Sequence, residues 1–364
     1  MSVPRMCGKS PIGYAVLVRC MLGIAVFGFA LAVAAAAHAA KCDSSLLPAI
    51  RSTFPVGLTQ WEAGPVNETD ARYGAFLFGS ALLSSDGTVA CASCHVPALG
   101  FSGREPVAVG VGGRTGTRRP PSLFNLYDSK LLMLDGRAKS LEDQIHLPLE
   151  SPLEMNVDWS ATLARLKQQR ETVAFLSDEG RPTLDRDLVI RSLVAYVRTL
   201  VSGDSPFDRY YFGGDESAIS AQAKDGLLVF VRKGRCSGCH LITGYSAPLT
   251  DDSFHSTGIG FENGVYKDSG RGTITGQQSD AGRFKTPTLR NVSQRRYFMH
   301  DGSMRSLREV LDYYNRGGNP GAPNMDGRVK PLFLTEPEID ALIAFLNTLD
   351  APVVRYRPST AGNH

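Results

Sequence analysis

Two copies of one short motif constrain the fold of this chain more than any other feature of its sequence. Residues 91–95 read Cys-Ala-Ser-Cys-His and residues 236–240 read Cys-Ser-Gly-Cys-His, so both follow the pattern CxxCH. Two thiols at this spacing can bond to the vinyl groups of a haem, and the histidine that follows then ligates the iron. The sequence therefore predicts two covalently attached c-type haems. The predicted attachment residues are Cys91, Cys94, Cys236 and Cys239, and the predicted iron ligands are His95 and His240.

Zinc binding or redox-dithiol chemistry would use the same cysteines. The chain has seven cysteines, and no further Cys or His pair is spaced to complete a zinc site. Once the two motifs and the N-terminal segment are set aside, Cys42 has no other cysteine to pair with, so no intramolecular disulfide is expected. Haem attachment is therefore the better interpretation of the cysteines.

The chain also repeats itself around the two motifs. Residues 121–125 return as 287–291, and residues 135–136 return as 301–302 at the same offset. Both halves end in a segment with apolar residues at helical spacing, at 193–200 and 342–349. Two tandem copies of one folding unit explain this pattern better than coincidence.

The repeat predicts the fold class and the domain organisation. Strand signals are few and short, so we expect a mainly α-helical protein of two tandem cytochrome c-like domains, each with one covalently bound haem c near their interface. Asp185 and Thr335 are predicted to begin the closing helices, with Glu338 completing a capping box at Thr335. The predicted boundaries are a signal peptide at 1–39, domains at 40–205 and 206–355, a tail at 356–364, and a linker near 202–217.

The N-terminal segment has the composition of an export signal. Basic residues precede an almost unbroken apolar run from Cys20 to Ala37, and Ala37-His38-Ala39 fits the small-x-small rule for cleavage before Ala40. This predicts a periplasmic protein, with a membrane anchor as the alternative if the signal is not removed. The net charge is +3 with both signs mixed along the chain, so nothing points to nucleic acid.

The function of each haem depends on the residue that faces its iron opposite the histidine. After His95, no His, Met or Cys occurs from Val96 to Leu132, so the first iron is expected to keep an open position where a small oxidant could bind. Met133 and His146 are the next candidates, although both could be packing residues. Peroxide cleavage would also need a carboxylate to move a proton, and Glu150 and Glu154 are the two acids in a proline-bounded segment.

The second iron has more candidate ligands than the sequence can separate. The residues after His240 that could ligate it are His255, Met299, His300, Met304, Tyr313, Tyr314 and Met325.

Several longer motifs resemble those of the bacterial di-haem cytochrome c peroxidases and their MauG-like relatives, which use peroxide to oxidise residues of a partner protein. The resemblance covers essentially the whole mature chain. The motifs are the two CxxCH sequences, Asp135-Gly136-Arg137-Ala138, Pro152-Leu153-Glu154-Met155, Thr286 to Asn291 and His300-Asp301-Gly302.

The resemblance implies a role for each matching position. The first haem would be the peroxide site and the second the electron-transfer haem. Glu154 falls on the family's distal acid-base glutamate, and Gln144 and Pro148 match residues lining the distal pocket in the MauG-like branch. Tyr314 falls where typical peroxidases have a methionine ligand and MauG-like enzymes have a tyrosine. The loop at 109–114, where many peroxidases carry a blocking histidine, has no ligand here, which also favours the MauG-like branch.

Two features depart from the family. Leu134 stands where a tryptophan usually relays electrons between the haems, and Tyr127 or Trp159 could replace it. The family's inter-haem calcium positions are Arg119, Arg295 and Tyr297 here, which argues against calcium. We hypothesise that a guanidinium replaces the cation or pairs with haem propionates.

The resulting expectation is a periplasmic di-haem enzyme that reduces hydrogen peroxide at the first haem. Its electrons would come through the second haem from a partner, either a small c-type cytochrome, a cupredoxin or a protein substrate. The alternative is a non-catalytic di-haem electron-transfer cytochrome, which requires two strong protein ligands on both irons.

Overall fold

The structure is a computed structural model that describes residues 49–51, 55–58 and 66–356, all within one compact unit. It is mainly helical, as predicted. The helices are α1 (Glu68–Gly79), α2 (Cys91–Cys94), α3 (Leu141–Glu150), α4 (Trp159–Lys167), α5 (Arg170–Asp178), α6 (Arg186–Arg198), α7 (Pro206–Tyr211), α8 (Ala221–Val231), α9 (Arg271–Thr275), α10 (Leu307–Asn315) and α11 (Glu336–Asn347).

The strands are two or three residues long and form three separate two-stranded sheets, so they contribute little to the core. The pairs are β1 (Ala49–Arg51) with β6 (Val354–Tyr356), in parallel, and β2 (Phe254–His255) with β5 (Phe284–Lys285) and β3 (Phe261–Glu262) with β4 (Val265–Tyr266), both antiparallel. Among the described residues, no helix combines the length and apolarity needed to cross a membrane. The predicted signal peptide and Cys42 lie outside the described residues.

The sequence repeat is also a structural repeat, as the crossing of the main helices demonstrates. In the first half, α1 crosses α6 where Gly74 lies so close that a Cβ there would be 1.9 Å from the Ser192 carbonyl oxygen. In the second half, α8 crosses α11 where a Cβ at Gly226 would be 1.9 Å from the Ala341 carbonyl oxygen. Glycine is therefore required at both crossings, because any side chain would force the helices apart.

The loops between the main helices repeat as well. Three pairs of residues at one offset share a left-handed backbone: Asn125 (φ 58) and Asn291 (φ 53), Met133 (φ 66) and Met299 (φ 63), and Gly136 (φ 72) and Gly302 (φ 70). Each copy then enters a helix capped by a serine, since Ser140 accepts from the Asp143 amide and Ser306 accepts from the Glu309 amide.

The closing helices begin where the sequence predicts. The Asp185 side chain accepts a hydrogen bond from the Leu188 amide at 2.7 Å, and the Thr335 amide donates to Glu338 Oε2 at 2.8 Å. Each helix contributes its apolar face to one of two hydrophobic clusters, one within residues 73–200 and the other within residues 207–349.

The segment 202–217, predicted as a linker, is structured rather than open. It contains α7, which is capped by Ser205, and it buries Asp208 against Arg290 in an ion pair whose side chains are both fully inaccessible. Arg290 also donates to the carbonyl oxygens of Gly57 and Ala247. The first part of this segment is therefore held by a buried polar pair, whereas residues 213–217 are exposed.

A second set of ionic contacts joins the two halves directly. Arg118 donates to both carboxylate oxygens of Asp268, at 2.6 and 2.9 Å, and to Asp135 at 2.5 Å. Asp135 in turn accepts from Arg137 at 2.7 Å. These ion pairs therefore connect Asp268 of the second half with Arg137, whose charge acts on Glu154.

Candidate haem sites

The first CxxCH motif forms a single helical turn that orients its histidine. The His95 amide donates to the Cys91 carbonyl oxygen at 2.8 Å. Nδ1 of His95 lies 3.1 Å from the Phe101 carbonyl oxygen and 3.0 Å from that of Pro121. Because both oxygens can only accept, Nδ1 carries the proton and Nε2 keeps its lone pair for a metal.

The second motif has the same arrangement. The His240 amide donates to the Cys236 carbonyl oxygen at 2.9 Å, and Nδ1 donates to the Leu249 carbonyl oxygen at 2.9 Å. Burial lowers the pKa of both histidines, so both are neutral ligands at neutral pH.

The four motif cysteines are free, partly buried thiols. Burial raises the pKa of Cys91 and of Cys236 to about 12 each. Among the described residues, one cluster could hold a metal ion, formed by Cys239, Asp251 and His255. It would use a thiol of the second motif, and His255 already lies between two carboxylates, at 2.8 Å from Asp251 and 2.7 Å from Asp326. The arrangement therefore fits haem attachment better than zinc.

The structure separates the two candidate acids of the first half. Glu150 is half exposed and bonds to Arg186 at 2.7 Å. Glu154 is more buried, and burial raises its pKa, while Arg137 opposes the shift. Its carboxylate also contributes to raising the pKa of both Cys91 and Cys94. Of the two acids, Glu154 is therefore the one close enough to the first motif to act electrostatically on its thiols.

Gln144 has a buried amide oxygen that accepts no hydrogen bond among the described residues. It lines an open cavity of about 120 Å³. The cavity has walls from both halves, including Tyr127, Met133, Leu134, Pro248 and Lys285. An unsatisfied buried oxygen is costly, so the cavity fits a polar ligand beside Gln144.

The ligand-free loop at 109–114 is fixed against the Glu154 segment. The Val111 amide donates to the Glu154 carbonyl oxygen at 2.8 Å, and Arg114 donates to the Pro152 carbonyl oxygen at 2.5 Å. A Cβ at Gly110 would lie 2.1 Å from the Leu153 carbonyl oxygen. The loop therefore positions Glu154 through backbone contacts.

The other candidates near the first motif have different environments. Nδ1 of His146 accepts a hydrogen bond from Arg186 at 2.9 Å, on the same side of α3 as Glu150. Met133 packs against the first hydrophobic cluster and lines the cavity. Trp159 lies on α4 beneath Arg186, whereas Tyr127 shares the cavity wall with Leu134.

The adjacent tyrosines of α10 differ in what their hydroxyls contact. Tyr313 donates to the Thr257 carbonyl oxygen at 2.7 Å. The Tyr314 hydroxyl makes no hydrogen bond to the described residues, and its pKa is raised by burial first and then by Cys236, Tyr313 and Cys239. Tyr314 therefore faces the second motif with a free hydroxyl.

Three of the remaining candidates for the second iron have side chains paired or packed elsewhere. His300 stacks on Phe284 with ring centroids 3.7 Å apart, and His255 is held by its two carboxylates. Met304 packs against the second hydrophobic cluster. A Cβ at Gly318 would lie 3.0 Å from Met325 Cε, and the Met299 carbonyl accepts from Arg119.

The structural repeat supplies a signal that residue-by-residue inspection of the sequence misses. Helices α3 and α10 are equivalent, and Pro148 and Tyr314 occupy the same position in them. The first copy thus has a proline, whose side chain has no atom that could ligate iron. The second copy has a tyrosine hydroxyl at the same position. Aligning the halves by their serine caps would have selected Tyr314 without reference to any relative.

The two arginines at the expected calcium positions are buried between the motifs. Arg119 donates to Met299 O at 3.0 Å and to Ser102 Oγ at 2.5 Å, and Arg295 donates to Arg290 O at 2.7 Å. Burial lowers the pKa of Arg119 to about 10 and, together with Arg119, that of Arg295 to about 9.

Neither guanidinium is neutralised by the described residues. No described carboxylate forms an ion pair with Arg119 or Arg295, and Arg295 Nε is buried without a partner. Buried charges are normally paired, so this region fits an anionic group, as the propionates of two haems would be.

Comparisons with known proteins agree with this site. A family model described as di-haem cytochrome c peroxidase matches residues 68–217. The methylamine utilization protein MauG of Methylorubrum extorquens is 38% identical over 334 residues, covering 89% of this chain and 91% of that protein. A cytochrome-c peroxidase of Denitromonas iodatirespirans is 32% identical over 316 residues, covering 79% of this chain and 83% of that protein.

Among solved structures, a MauG-like protein associated with microbial copper homeostasis matches with a TM-score of 0.74 and 26% identity, covering 82% of this chain and 95% of that chain. These matches place the chain in the class of di-haem peroxidase-type oxidoreductases. The chain belongs to the di-haem cytochrome c peroxidase and MauG family.

Proposed function

We propose that this protein is a periplasmic enzyme that reduces hydrogen peroxide at the haem held by Cys91, Cys94 and His95. The observation that carries the proposal is the position of Glu154, a partly buried carboxyl near the first motif and beside a loop that offers no competing ligand. The electrons would pass through the haem held by Cys236, Cys239, His240 and Tyr314.

Reduction of one peroxide consumes two electrons and two protons and yields two waters. The first haem, when bound, supplies the iron at which the O–O bond breaks, and the second supplies electrons. Glu154 accepts a proton from one peroxide oxygen and returns it to the other, which leaves as water. Gln144 orients the bound peroxide through its amide, and Pro148 leaves the space above the first motif without a ligand atom.

The need for two electrons per peroxide indicates what kind of partner the enzyme would use. Electrons would be taken from a small c-type cytochrome, a cupredoxin or the side chains of a protein substrate, as the methylamine utilization relative suggests. Export to the periplasm would provide the compartment where such partners and covalent haem attachment occur.

The resting ferric protein provides the test against a pure electron carrier. We expect its EPR spectrum to contain a high-spin haem signal that disappears when peroxide is added, because the first iron keeps an open position. Two low-spin signals that do not respond to peroxide would establish the carrier and exclude the enzyme.

We further propose that no calcium lies between the halves, because Arg119 and Arg295 already place two positive charges there. Elemental analysis of protein purified in calcium-containing buffer is expected to find less than stoichiometric calcium. Chelation with EDTA should then leave both haem spectra and the peroxide reaction unchanged. Stoichiometric calcium, or spectral changes reversed by added calcium, would contradict this proposal.

A further inference from the structure

A loop of the first half, residues 129–137, is bound by side chains of the second half, and we call it the bridging segment. Lys285 Nζ donates to the Leu131 carbonyl oxygen at 2.6 Å. The Lys285 amide donates to the Leu134 carbonyl oxygen at 2.8 Å. The position of the bridging segment therefore depends on contacts with the second half.

The end of the bridging segment is held in the same way. Arg271 Nη1 donates to the carbonyl oxygens of Asp135 and Gly136, at 3.0 and 3.1 Å. A Cβ at Gly136 would lie 2.4 Å from Phe254 Cζ, and the φ of Gly136 is +72°, so only glycine fits between the two halves here. The second half thus fixes the backbone from which the Asp135 side chain extends.

The Asp135 side chain carries a buried negative charge that two arginines share. It is 2% exposed, and a carboxylate at that depth needs a cationic partner. Arg118 Nη1 donates to Asp135 Oδ2 at 2.5 Å, and Arg137 Nη1 donates to the same oxygen at 2.7 Å. Because both guanidinium groups bind one oxygen, they compete for it, and weakening either contact strengthens the other.

Arg118 is anchored on the second half. Its Nε and Nη2 donate to the two carboxylate oxygens of Asp268 at 2.6 and 2.9 Å, a bidentate contact that fixes the plane of the guanidinium. The guanidinium carbon also lies 5.5 Å from the centre of the Phe284 ring. His300, which also acts on Asp268, is neutral near pH 7 because burial lowers its pKa well below the usual range. Arg118 therefore divides its contacts between one carboxylate of each half.

The other arginine connects this network with the candidate proton carrier. Arg137 is the charged group that opposes the rise in the pKa of Glu154. The thiols of Cys91 and Cys94 also interact with Glu154, but haem attachment would convert them into uncharged thioethers. Arg114 of the adjoining loop donates to a backbone carbonyl oxygen instead. The charge state of Glu154 therefore depends on how firmly the shared carboxylate holds Arg137.

We propose that Arg118 is a positioning residue for proton transfer by Glu154. It competes with Arg137 for one carboxylate while a second carboxylate anchors it to the other half, and so it sets how much of the Arg137 charge acts on Glu154. The second half thereby adjusts the proton affinity of a carboxyl in the first half. This inference rests on the proposed function only for the link between Glu154 and peroxide, because the electrostatic link is measurable in the resting protein.

Two substitutions that break the same ion pair should have opposite effects. In Arg118→Gln, Asp135 binds Arg137 alone and one positive charge is lost, so the titration midpoint of Glu154 should rise by about half a pH unit. In Asp268→Asn, Arg118 turns fully to Asp135 and releases Arg137 to act on Glu154, so the midpoint should fall. A role limited to holding the halves together would not produce shifts of opposite sign.

Infrared difference spectroscopy of the resting ferric protein measures this midpoint. The band of the protonated Glu154 carboxyl is identified by subtracting the spectrum of Glu154→Gln. The double variant Arg118→Gln/Asp268→Asn should match Arg118→Gln, since Asp268 acts through Arg118. Arg181→Gln is the matched control, because Arg181 also joins two carboxylates and its side chain is 23% exposed against 20% for Arg118. It should leave the midpoint unchanged.

The outcomes separate this inference from the proposed function. Shifts of the same sign, an unchanged midpoint in both single variants, or an effect of Asp268→Asn that persists without Arg118 would each overturn the positioning role. If the infrared midpoints move as expected but the pH dependence of the peroxide reaction does not follow them, the positioning role stands and Glu154 is not the proton carrier. If the midpoints stay fixed while Glu154→Gln still slows the reaction, the enzyme stands and this inference fails.

Discussion

Replacing Glu154 with glutamine is expected to slow the reaction of the ferric protein with hydrogen peroxide by about 10²–10⁴-fold. The amide has nearly the same shape but cannot accept the peroxide proton, so bond cleavage loses its proton carrier. Stopped-flow spectroscopy of the haem absorbance measures the bimolecular rate constant directly. The resting spectra should be nearly unchanged, because Glu154 is not an iron ligand.

The pH dependence gives a second readout of the same group. Burial raises the pKa of Glu154 above its ordinary value of 4.5, and the active form is the deprotonated carboxylate. The wild-type rate should therefore fall as the pH drops through this raised pKa, and the fall should be absent in Glu154→Gln. Glu150→Gln is the matched control, because Glu150 is exposed and paired with Arg186. A Glu154→Gln rate within twofold of wild type would rule out this role.

Replacing Tyr314 with phenylalanine is expected to remove the sixth ligand of the second haem. The absorption and EPR spectra of that haem should change from low spin to high spin. Its reduction potential should rise by on the order of 0.1 V, within the roughly 0.8 V range over which axial ligands act, because a phenolate oxygen stabilises ferric iron. Spectroelectrochemical titration measures both changes.

The neighbouring tyrosine provides the control. Tyr313→Phe loses a hydrogen bond to the Thr257 carbonyl oxygen, which costs about 1 kcal/mol of stability, but it should leave the haem spectra unchanged. If Tyr313→Phe altered the spectrum and Tyr314→Phe did not, the two assignments would be exchanged. If neither did, the sixth ligand would lie elsewhere.

The starts of the closing helices were predicted correctly, and the haem attachment residues could be proposed, because both signals are local. Two thiols and a histidine at fixed spacing must lie together in any fold, and Asp185 and Thr335 cap helices through neighbours three residues away. The duplication was also readable, since equal offsets do not depend on knowing the fold.

What the sequence could not predict depends on contacts between distant segments. The choice between Glu150 and Glu154 follows from Arg186, which lies more than thirty residues away along the chain and draws Glu150 to the surface. The apparent linker hides a buried pair because Asp208 meets Arg290 only in the folded chain. The same holds for the Gln144 amide oxygen without a partner and for the two arginines without a carboxylate, Arg119 and Arg295. These features arise only when the interior packs, so the composition does not predict them.

The proximal hydrogen bonds of the two histidines have a consequence for how bond cleavage must be driven. A carboxylate partner would pull the Nδ1 proton away and make an imidazole a stronger electron donor to its metal. His95 instead shares its proton between two neutral carbonyls, so its donor strength stays close to that of free imidazole. If the first haem binds as proposed, His95 would contribute only modest electron donation to a bound oxidant, and the reactivity of the site would depend chiefly on proton transfer by Glu154.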